Sequence, residues 1–325
     1  MNRYRLHHVT EFQYDGPVSE SFNEVRLRPI HDDRQSCLSF RLGTTPHARA
    51  LSHRDYYGNW VHQINVPGEH RHLTIEAESV VLIHEAPVLP ADSISLFEFE
   101  DLREELAEEY FEFLAPTSYV PHLPEVHALA RDAEQQCPGT VVGFVQAASG
   151  LVHRSFRYEK GATHVHSSIQ DSLRLGAGVC QDFAHLLLAV ARSRGLPGRY
   201  VSGYLVPRPA AEPGGSGEQV IGGQASHAWT EIYVPGAGWL SFDPTLGAPV
   251  SFRHVRLAYG RDYGDVAPVR GVYKGHAGQR LHVDVRVRPA LDGEGHEQLL
   301  ETAAGPDEAV RPDPRLQQPQ QQQQQ

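Results

Sequence analysis

Cysteine and long apolar runs are scarce in this sequence of 325 residues, and each scarcity excludes a class of protein. The three cysteines are too few and too far apart in the chain to form a disulfide framework. No run approaches the ~18 consecutive apolar residues of a membrane span. The first residues, MNRYRLHHVTEFQYDG, contain no apolar segment of the kind that a secretory signal peptide needs. The sequence therefore predicts a soluble, cytoplasmic protein that has no membrane partner.

Basic residues are also in the minority, with 29 lysines and arginines against 40 acidic residues and a net charge of −11. Binding to the phosphates of nucleic acid needs a basic face, so the composition argues against a nucleic-acid partner. Neither a GxxxxGK(S/T) nor a GxGxxG phosphate-binding loop occurs, and we expect no cofactor. Two histidine pairs have the spacing of metal ligands on a strand, but a third ligand is missing near each. We therefore expect no metal site and interpret these residues as exposed histidines: His70, His72, His164 and His166.

Hydrophobic patterning divides the chain into four segments and predicts an α+β protein. Residues 1–88 alternate polar and apolar residues between turns, which predicts a β-sandwich-like domain, with the first strand broken at Gly16-Pro17. Residues 89–124 form an acidic connector, interpreted as a solvated linker with room for a short helix. Residues 125–290 mix helical and strand patterns and form a second domain. Residues 291–325 are acidic and rich in glutamine, and we expect them to be disordered.

A glycine-rich turn followed by an amphipathic stripe places Cys180 at the start of a helix. Gly176 and Gly178 allow a sharp turn before it. Apolar residues then follow at helical spacing, and Gly195 is expected to end the helix. The unpaired N–H groups and the dipole of a first helical turn stabilise a thiolate there. The alternative is that Cys180 is only a small residue of the core.

His227 and Asp243 fall at the ends of two strands that are predicted to form a hairpin. The alternating run from His227 predicts a strand, residues 235–238 predict a turn, and the next strand ends at Asp243. Such a hairpin brings Asp243 approximately opposite His227. A cysteine at a helix start, a histidine opening one strand and an aspartate closing its neighbour match the pattern of nucleophile, base and orienting group.

Several segments together resemble the bacterial branch of the transglutaminase-like superfamily. They are GVCQDFAH at 178–185, RYVSGY at 199–204, ASHAW at 225–229 and FDPT at 242–245, preceded in residues 1–88 by YRLHHVTEFQY and DYYGNW. The resemblance covers residues 1–275 and implies a β domain followed by a papain-like transglutaminase core. It implies Cys180 as nucleophile, His227 as general base and acid and Asp243 as orienting group. It also implies that three further residues lie near the site: Asp182, His185 and Trp229.

The chemistry implied by this resemblance is acyl transfer through a thioester. Cys180 would attack a carboxamide carbonyl of a protein or peptide substrate, and an amine would resolve the thioester. The backbone N–H of Cys180 is one expected oxyanion donor. Two alternatives stay open: a cysteine peptidase or deamidase in which water is the acceptor, and a non-catalytic binding module that keeps the fold.

Overall fold

The computed structural model describes residues 2–84, 89–90, 93–137, 139–207 and 226–290, and the predicted disordered tail at 291–325 lies outside them. The strands are β1 (Asn2–Val25), β2 (Gln35–Thr45), β3 (Ala50–Arg54), β4 (Trp60–Val66), β5 (His70–Ile83), β6 (Arg157–Tyr158), β7 (Ala177–Gly178), β8 (Gly198–Leu205), β9 (His227–Val234), β10 (Gly238–Asp243), β11 (Ala248–Pro249), β12 (His254–Gly260), β13 (Val269–Lys274) and β14 (Gln279–Pro289). The helices are α1 (Leu96–Glu109), α2 (Phe111–Leu114), α3 (Pro124–Gln135), α4 (Val141–Ser155), α5 (Ile169–Leu175), α6 (Cys180–Ser193) and α7 (Tyr263–Val266). Among the described residues, no helix is long and apolar enough to cross a membrane.

The N-terminal region is one curled antiparallel sheet of seven strands built around β1. Residues 2–14 of β1 pair with β5 on one side and β14 on the other, whereas residues 19–25 pair with β4 and β13. The predicted break at Gly16-Pro17 is wrong, because β1 continues through it. The ladder register shifts at this point and β1 changes partners, which suits a proline that has no N–H to donate.

The two last strands return to the N-terminal sheet, and here the structure differs from the predicted domain boundary at residue 290. Both β13 and β14 pair with β1, so residues 269–289 complete the first sheet. They cover an edge that each half of β1 would otherwise expose. Alternation along a strand gives no information about which sheet the strand joins, which is why the pattern alone placed them in the second domain.

The second domain contains an antiparallel sheet in the order β11-β10-β9-β8-β12, with α6 packed on β8 and β9. The core beneath α6 holds Phe183 and Leu187 together with Ala228 and Ile232 of β9. As predicted, α6 ends before Gly195, which adopts φ +80°. This β-sheet domain followed by a mixed core confirms the α+β fold class.

The acidic connector packs on this core through its apolar side chains. Ser95 and Glu98 form a capping box that begins α1. Phe99 and Leu106 of α1 are buried in the same core as α6. The connector is therefore more than the solvated linker that its charge predicts, since its acidic face is in water and its apolar face is covered.

A buried ionic cluster joins the two domains behind β9. Glu231 is fully buried and accepts hydrogen bonds from Arg199 (2.7 Å) and Arg34 (3.3 Å), while Arg256 lies at 3.5 Å. Burial raises the pKa of Glu231, but the three guanidinium groups outweigh burial and hold it below its ordinary value. Because Arg34 comes from the N-terminal region, this cluster fixes that region against the strand that begins with His227.

Candidate active site

Cys180 is the first residue of α6, where the sequence predicts it, and Asp182 fixes the start of that helix. The Oδ2 of Asp182 accepts the backbone N–H of Val179 (2.8 Å), and its Oδ1 accepts the hydroxyl of Ser172 (2.9 Å). A Cβ on Gly178 would lie 2.7 Å from Asp182, so the turn before the cysteine needs glycine for space. Cys180 therefore lies at the helix N-terminus, where the helix dipole favours negative charge.

His227 begins β9 and Asp243 ends β10, and the hairpin brings the two side chains into contact. The Nε2 of His227 donates to Oδ2 of Asp243 at 2.7 Å, and both side chains are fully buried. The other ring nitrogen, Nδ1, is buried and bonds to no oxygen or nitrogen atom of the described residues, and His227 lines the same cavity as Cys180. Burial lowers the pKa of His227, but Asp243 and then Cys180 outweigh burial and raise it to about 10. The arrangement therefore favours an imidazolium between a carboxylate and a sulfur.

His254, which the sequence interpretation missed, is a second histidine on the same carboxylate. Its Nε2 donates to Oδ2 of Asp243 at 3.0 Å, and its Nδ1 accepts the backbone N–H of Ser251 at 3.1 Å. The Nδ1 atom lies closer to the N–H of Ser251 (3.1 Å) than to its carbonyl oxygen (3.3 Å), which favours a proton on Nε2. Burial lowers the pKa of His254, so the ring is neutral. The chain has 20 histidines, and nothing in the local pattern of SFRHVRL distinguishes this one.

Asp243 is held by four hydrogen bonds. Its Oδ2 accepts both imidazoles, and its Oδ1 accepts the backbone N–H groups of Thr245 (2.9 Å) and Leu246 (3.2 Å). Burial raises the pKa of Asp243, but these partners outweigh burial and hold it far below its ordinary value. The carboxylate stays ionised and rigidly oriented towards His227.

The remaining predicted residues lie beside the site and brace it. His185 is fully buried between the rings of Tyr119 and Tyr200 (centroids 5.3 and 4.9 Å), and its Nε2 accepts the N–H of Tyr263 at 3.1 Å. Burial, with the nearby Arg192, lowers the pKa of His185 to about 3. It is therefore a neutral support for the tyrosines around the cavity.

Trp229 is fully buried on the strand that carries the histidine. Its ring lies 6.0 Å from His227 and 5.1 Å from His254. A Cβ on Gly203 would lie 2.4 Å from this indole, so the glycine of RYVSGY makes room for it. Trp229 therefore limits how far either imidazole can move.

The thiol opens into a cavity of about 380 Å³. Two tyrosines that the sequence interpretation did not single out, Tyr158 and Tyr200, line it with Cys180. Burial, and then Cys180, raises the pKa of Tyr158 to about 12 and moves that of Tyr200 in the same direction. Both hydroxyls therefore keep their protons and can donate hydrogen bonds. Tyr200 lies in the RYVSGY segment, and this segment was the sequence feature that could have pointed to it as a site residue.

Three of the four histidines that were interpreted as exposed are exposed, and His72 on β5 is one of them. His164 and His166 are exposed in the loop before α5, with ring centroids 6.4 Å apart. His70 is buried rather than exposed and bonds to Ser21 and Gly68. His227, Asp243 and His254 have ligand-type atoms within 4.8 Å of one another. Because the Nε2 atoms of both histidines donate to the carboxylate of Asp243, the three residues form a hydrogen-bond network.

Comparison with known proteins matches two segments of the chain to known families. Residues 4–82 match the bacterial transglutaminase-like N-terminal region, and residues 128–244 match the transglutaminase-like superfamily. An uncharacterised protein of Mycobacterium leprae is 37% identical over 289 residues, which cover 88% of this chain and 99% of that protein. A protein-glutamine gamma-glutamyltransferase of Pseudomonas aeruginosa is 32% identical over 131 residues, 38% of this chain and 18% of that protein.

A solved structure shows the same fold. The crystal structure of a Cytophaga hutchinsonii protein, provisionally named a cysteine protease, superposes with a TM-score of 0.64 at 21% identity and covers 89% of this chain and 92% of that one. The two family matches and the similarity to the mycobacterial protein rest on sequence and not on the geometry of the site. The chain belongs to the transglutaminase-like superfamily.

Proposed function

We propose that the protein is a cysteine-dependent enzyme that transfers the acyl group of a protein or peptide carboxamide to an amine. Cys180 is the nucleophile, His227 the base and acid, and Asp243 the orienting group. One observation carries the proposal: His227 donates Nε2–H to Asp243 at 2.7 Å and lines the cavity of Cys180, with its other nitrogen bonded to no oxygen or nitrogen atom of the described residues. A base oriented in this way is what a thiol nucleophile requires.

The reaction takes two steps. The Cys180 thiolate attacks the carboxamide carbon, a C–S bond forms, and the C–N bond breaks as His227 gives its proton to the departing ammonia. The amine then attacks the thioester, a C–N bond forms, the C–S bond breaks, and the proton of the amine returns to His227. The backbone N–H of Cys180 stabilises the oxyanion in both steps, and the Tyr200 hydroxyl lies in the same cavity as a second donor. With water as the acceptor, the same residues perform deamidation or peptide hydrolysis.

Substitution of the three cysteines tests the assignment. We expect Cys180→Ala to abolish product formation, and Cys37→Ala and Cys137→Ala to leave it unchanged. Mass spectrometry of a glutamine peptide incubated with a primary amine distinguishes an amine adduct, conversion of glutamine to glutamate, and backbone cleavage. Activity in Cys180→Ala contradicts the assignment, and glutamate or cleavage products alone would replace transfer with hydrolysis.

Alkylation with limiting iodoacetamide tests the nucleophile without a substrate. Burial raises the pKa of Cys37 to about 11, so that thiol is expected to react very slowly at pH 6. Cys180 should be alkylated at least about tenfold faster than Cys37 or Cys137 because His227, which lines the same cavity, can accept the proton of its thiol. Equal rates for all three, together with no product from any peptide, would favour the non-catalytic binding module.

A further inference from the structure

The cavity at Cys180 continues into a larger groove of about 640 Å³ between the catalytic core and the N-terminal sheet. Four residues line both spaces and mark the junction: Val165, Ser226, Tyr263 and Val283. Both volumes are in the range of ligand-binding pockets. The two spaces therefore adjoin, and a peptide bound in the groove would lie next to the cavity of the thiol.

The floor of the groove is built by β1 and by β14, a strand that the domain prediction assigned to the second domain. Alternate residues of β1 face it together with their partners on β14, as in the pairs Phe12–Leu281 and Tyr14–Gln279. Strand β13 forms one wall, and Leu281 is 58% exposed although it is apolar. An exposed apolar surface beside a reactive group is typical of a binding site.

The charges on this surface are of one sign. The chain has 40 acidic residues, yet among the described residues none lines either space. Lys160 lines the cavity and Arg270 lines the groove. Glu24 on β1 is the cross-strand partner of Arg270 on β13. Its carboxylate accepts a hydrogen bond from Arg26 at 3.1 Å, so Arg26 offsets its charge. The groove is thus cationic in an anionic protein, which favours an anionic ligand.

A buried polar group in the groove also lacks a partner. Asn23 is 6% exposed, lines the groove, and has an Nδ2 that makes no hydrogen bond within the described residues. A buried donor without an acceptor is costly, and a small rotation of this side chain towards the groove would let a peptide carbonyl accept its hydrogen bond. This observation is independent of the charge argument.

We infer that the groove binds a peptide segment of the substrate that carries an acidic and an aromatic or large apolar side chain, with the reacting amide at Cys180 and the acidic group near Arg270. The inference rests on the proposed function for the reaction at the thiol, but the binding surface is separate from the triad. It assigns the N-terminal sheet and the strands β13 and β14 a role in selecting the substrate.

Binding to the full-length Cys180→Ala protein tests the groove without turnover. The probes are fluorescein-labelled peptides with a central glutamine flanked on both sides by Glu-Phe or by Lys-Phe, followed by anisotropy. We expect the Glu-Phe peptide to bind about tenfold more tightly at low salt, with the preference shrinking as salt is added. Equal affinities would overturn the inference.

Charge variants locate the contact. Added to the Cys180→Ala protein, Arg270→Glu should abolish the preference, and the neutral Arg270→Gln should reduce it. The matched control is Arg280→Glu, an exposed arginine of β14 whose neighbours in the strand face the groove while it faces away. Equal effects of Arg270→Glu and Arg280→Glu would refute the site. Retained preference with no turnover in the native protein refutes only the proposed function, and turnover without preference refutes only the groove.

Discussion

Replacing Asp243 by asparagine tests whether the carboxylate fixes the proton of His227. The Oδ1 of asparagine can still accept the two backbone N–H groups, so the turn should persist. In place of Oδ2, the asparagine would present an NH₂ group to the Nε2–H donors of His227 and His254. These two atoms lie 2.7 and 3.0 Å from the present Oδ2. The N–H of Ser251 still favours the present tautomer of His254, whereas no oxygen or nitrogen atom of the described structure fixes the Nδ1 of His227. Without the carboxylate we expect the His227 ring to be neutral with its one proton on Nδ1, where it prevents proton transfer from Cys180.

The magnitude follows from the imidazolium that Asp243 stabilises. Burial alone would lower the pKa of His227, yet Asp243, and after it Cys180, outweigh burial and raise the pKa from 6.5 to about 10, with Asp243 the larger cause. This rise corresponds to on the order of 5 kcal/mol, at 1.36 kcal/mol for each tenfold change. Loss of this stabilisation in the transition state is expected to lower kcat/KM by about 10³-fold.

Two measurements check this prediction. The kcat/KM for amine incorporation should fall by about 10³-fold, and alkylation of Cys180 at pH 6 should slow by at least about tenfold. The control is Asp265→Asn, whose carboxylate bonds to Arg261 at 2.9 Å outside the cavity, and both rates should change less than about twofold. A folded Asp243→Asn protein, judged by near-ultraviolet circular dichroism, that kept both rates would refute the assignment of Asp243.

Two further predictions concern stability. Glu231→Gln should lower the free energy of unfolding in urea by about 3–5 kcal/mol, because it leaves three guanidinium groups around a buried neutral side chain. The exposed Glu100→Gln, which loses one surface pair at 2.7 Å, should cost less than about 1 kcal/mol, and similar losses would contradict the buried cluster. Burial lowers the pKa of His8 to about 4 and that of His185 to about 3. Below pH 6.5 the unfolded chain takes up protons on these two histidines that the folded chain does not, so their own contribution to stability should be complete above pH 6.5. It should then fall on the order of 1 kcal/mol per pH unit for each ring as the pH drops towards 4. Urea midpoints measured from pH 7.5 to 4.5 test this, and a constant midpoint would show that the two rings are not buried and neutral.

The elements that carry the triad could be predicted from the sequence because their signals are local. Helical spacing after Cys180, Gly195 as a stop, and alternation on both sides of the turn at 235–238 depend on residues that are close in the chain. The structure places Cys180, His227 and Asp243 at the ends of the predicted elements. Because these interactions join residues that are close in the chain, the elements can be predicted from the local sequence.

What only the tertiary structure decided depends on residues far apart in the chain. The pairing of β13 and β14 with β1 spans more than 240 positions, and no alternation pattern specifies such a partner. His254 became a partner of Asp243 because strands of one sheet brought it there, and Glu231 became a buried ion because arginines from both domains met it. Sequence periodicity records which face of an element is buried. It does not indicate which distant strands pair or which charges become buried between them. Both depend on contacts that exist only in the folded tertiary structure.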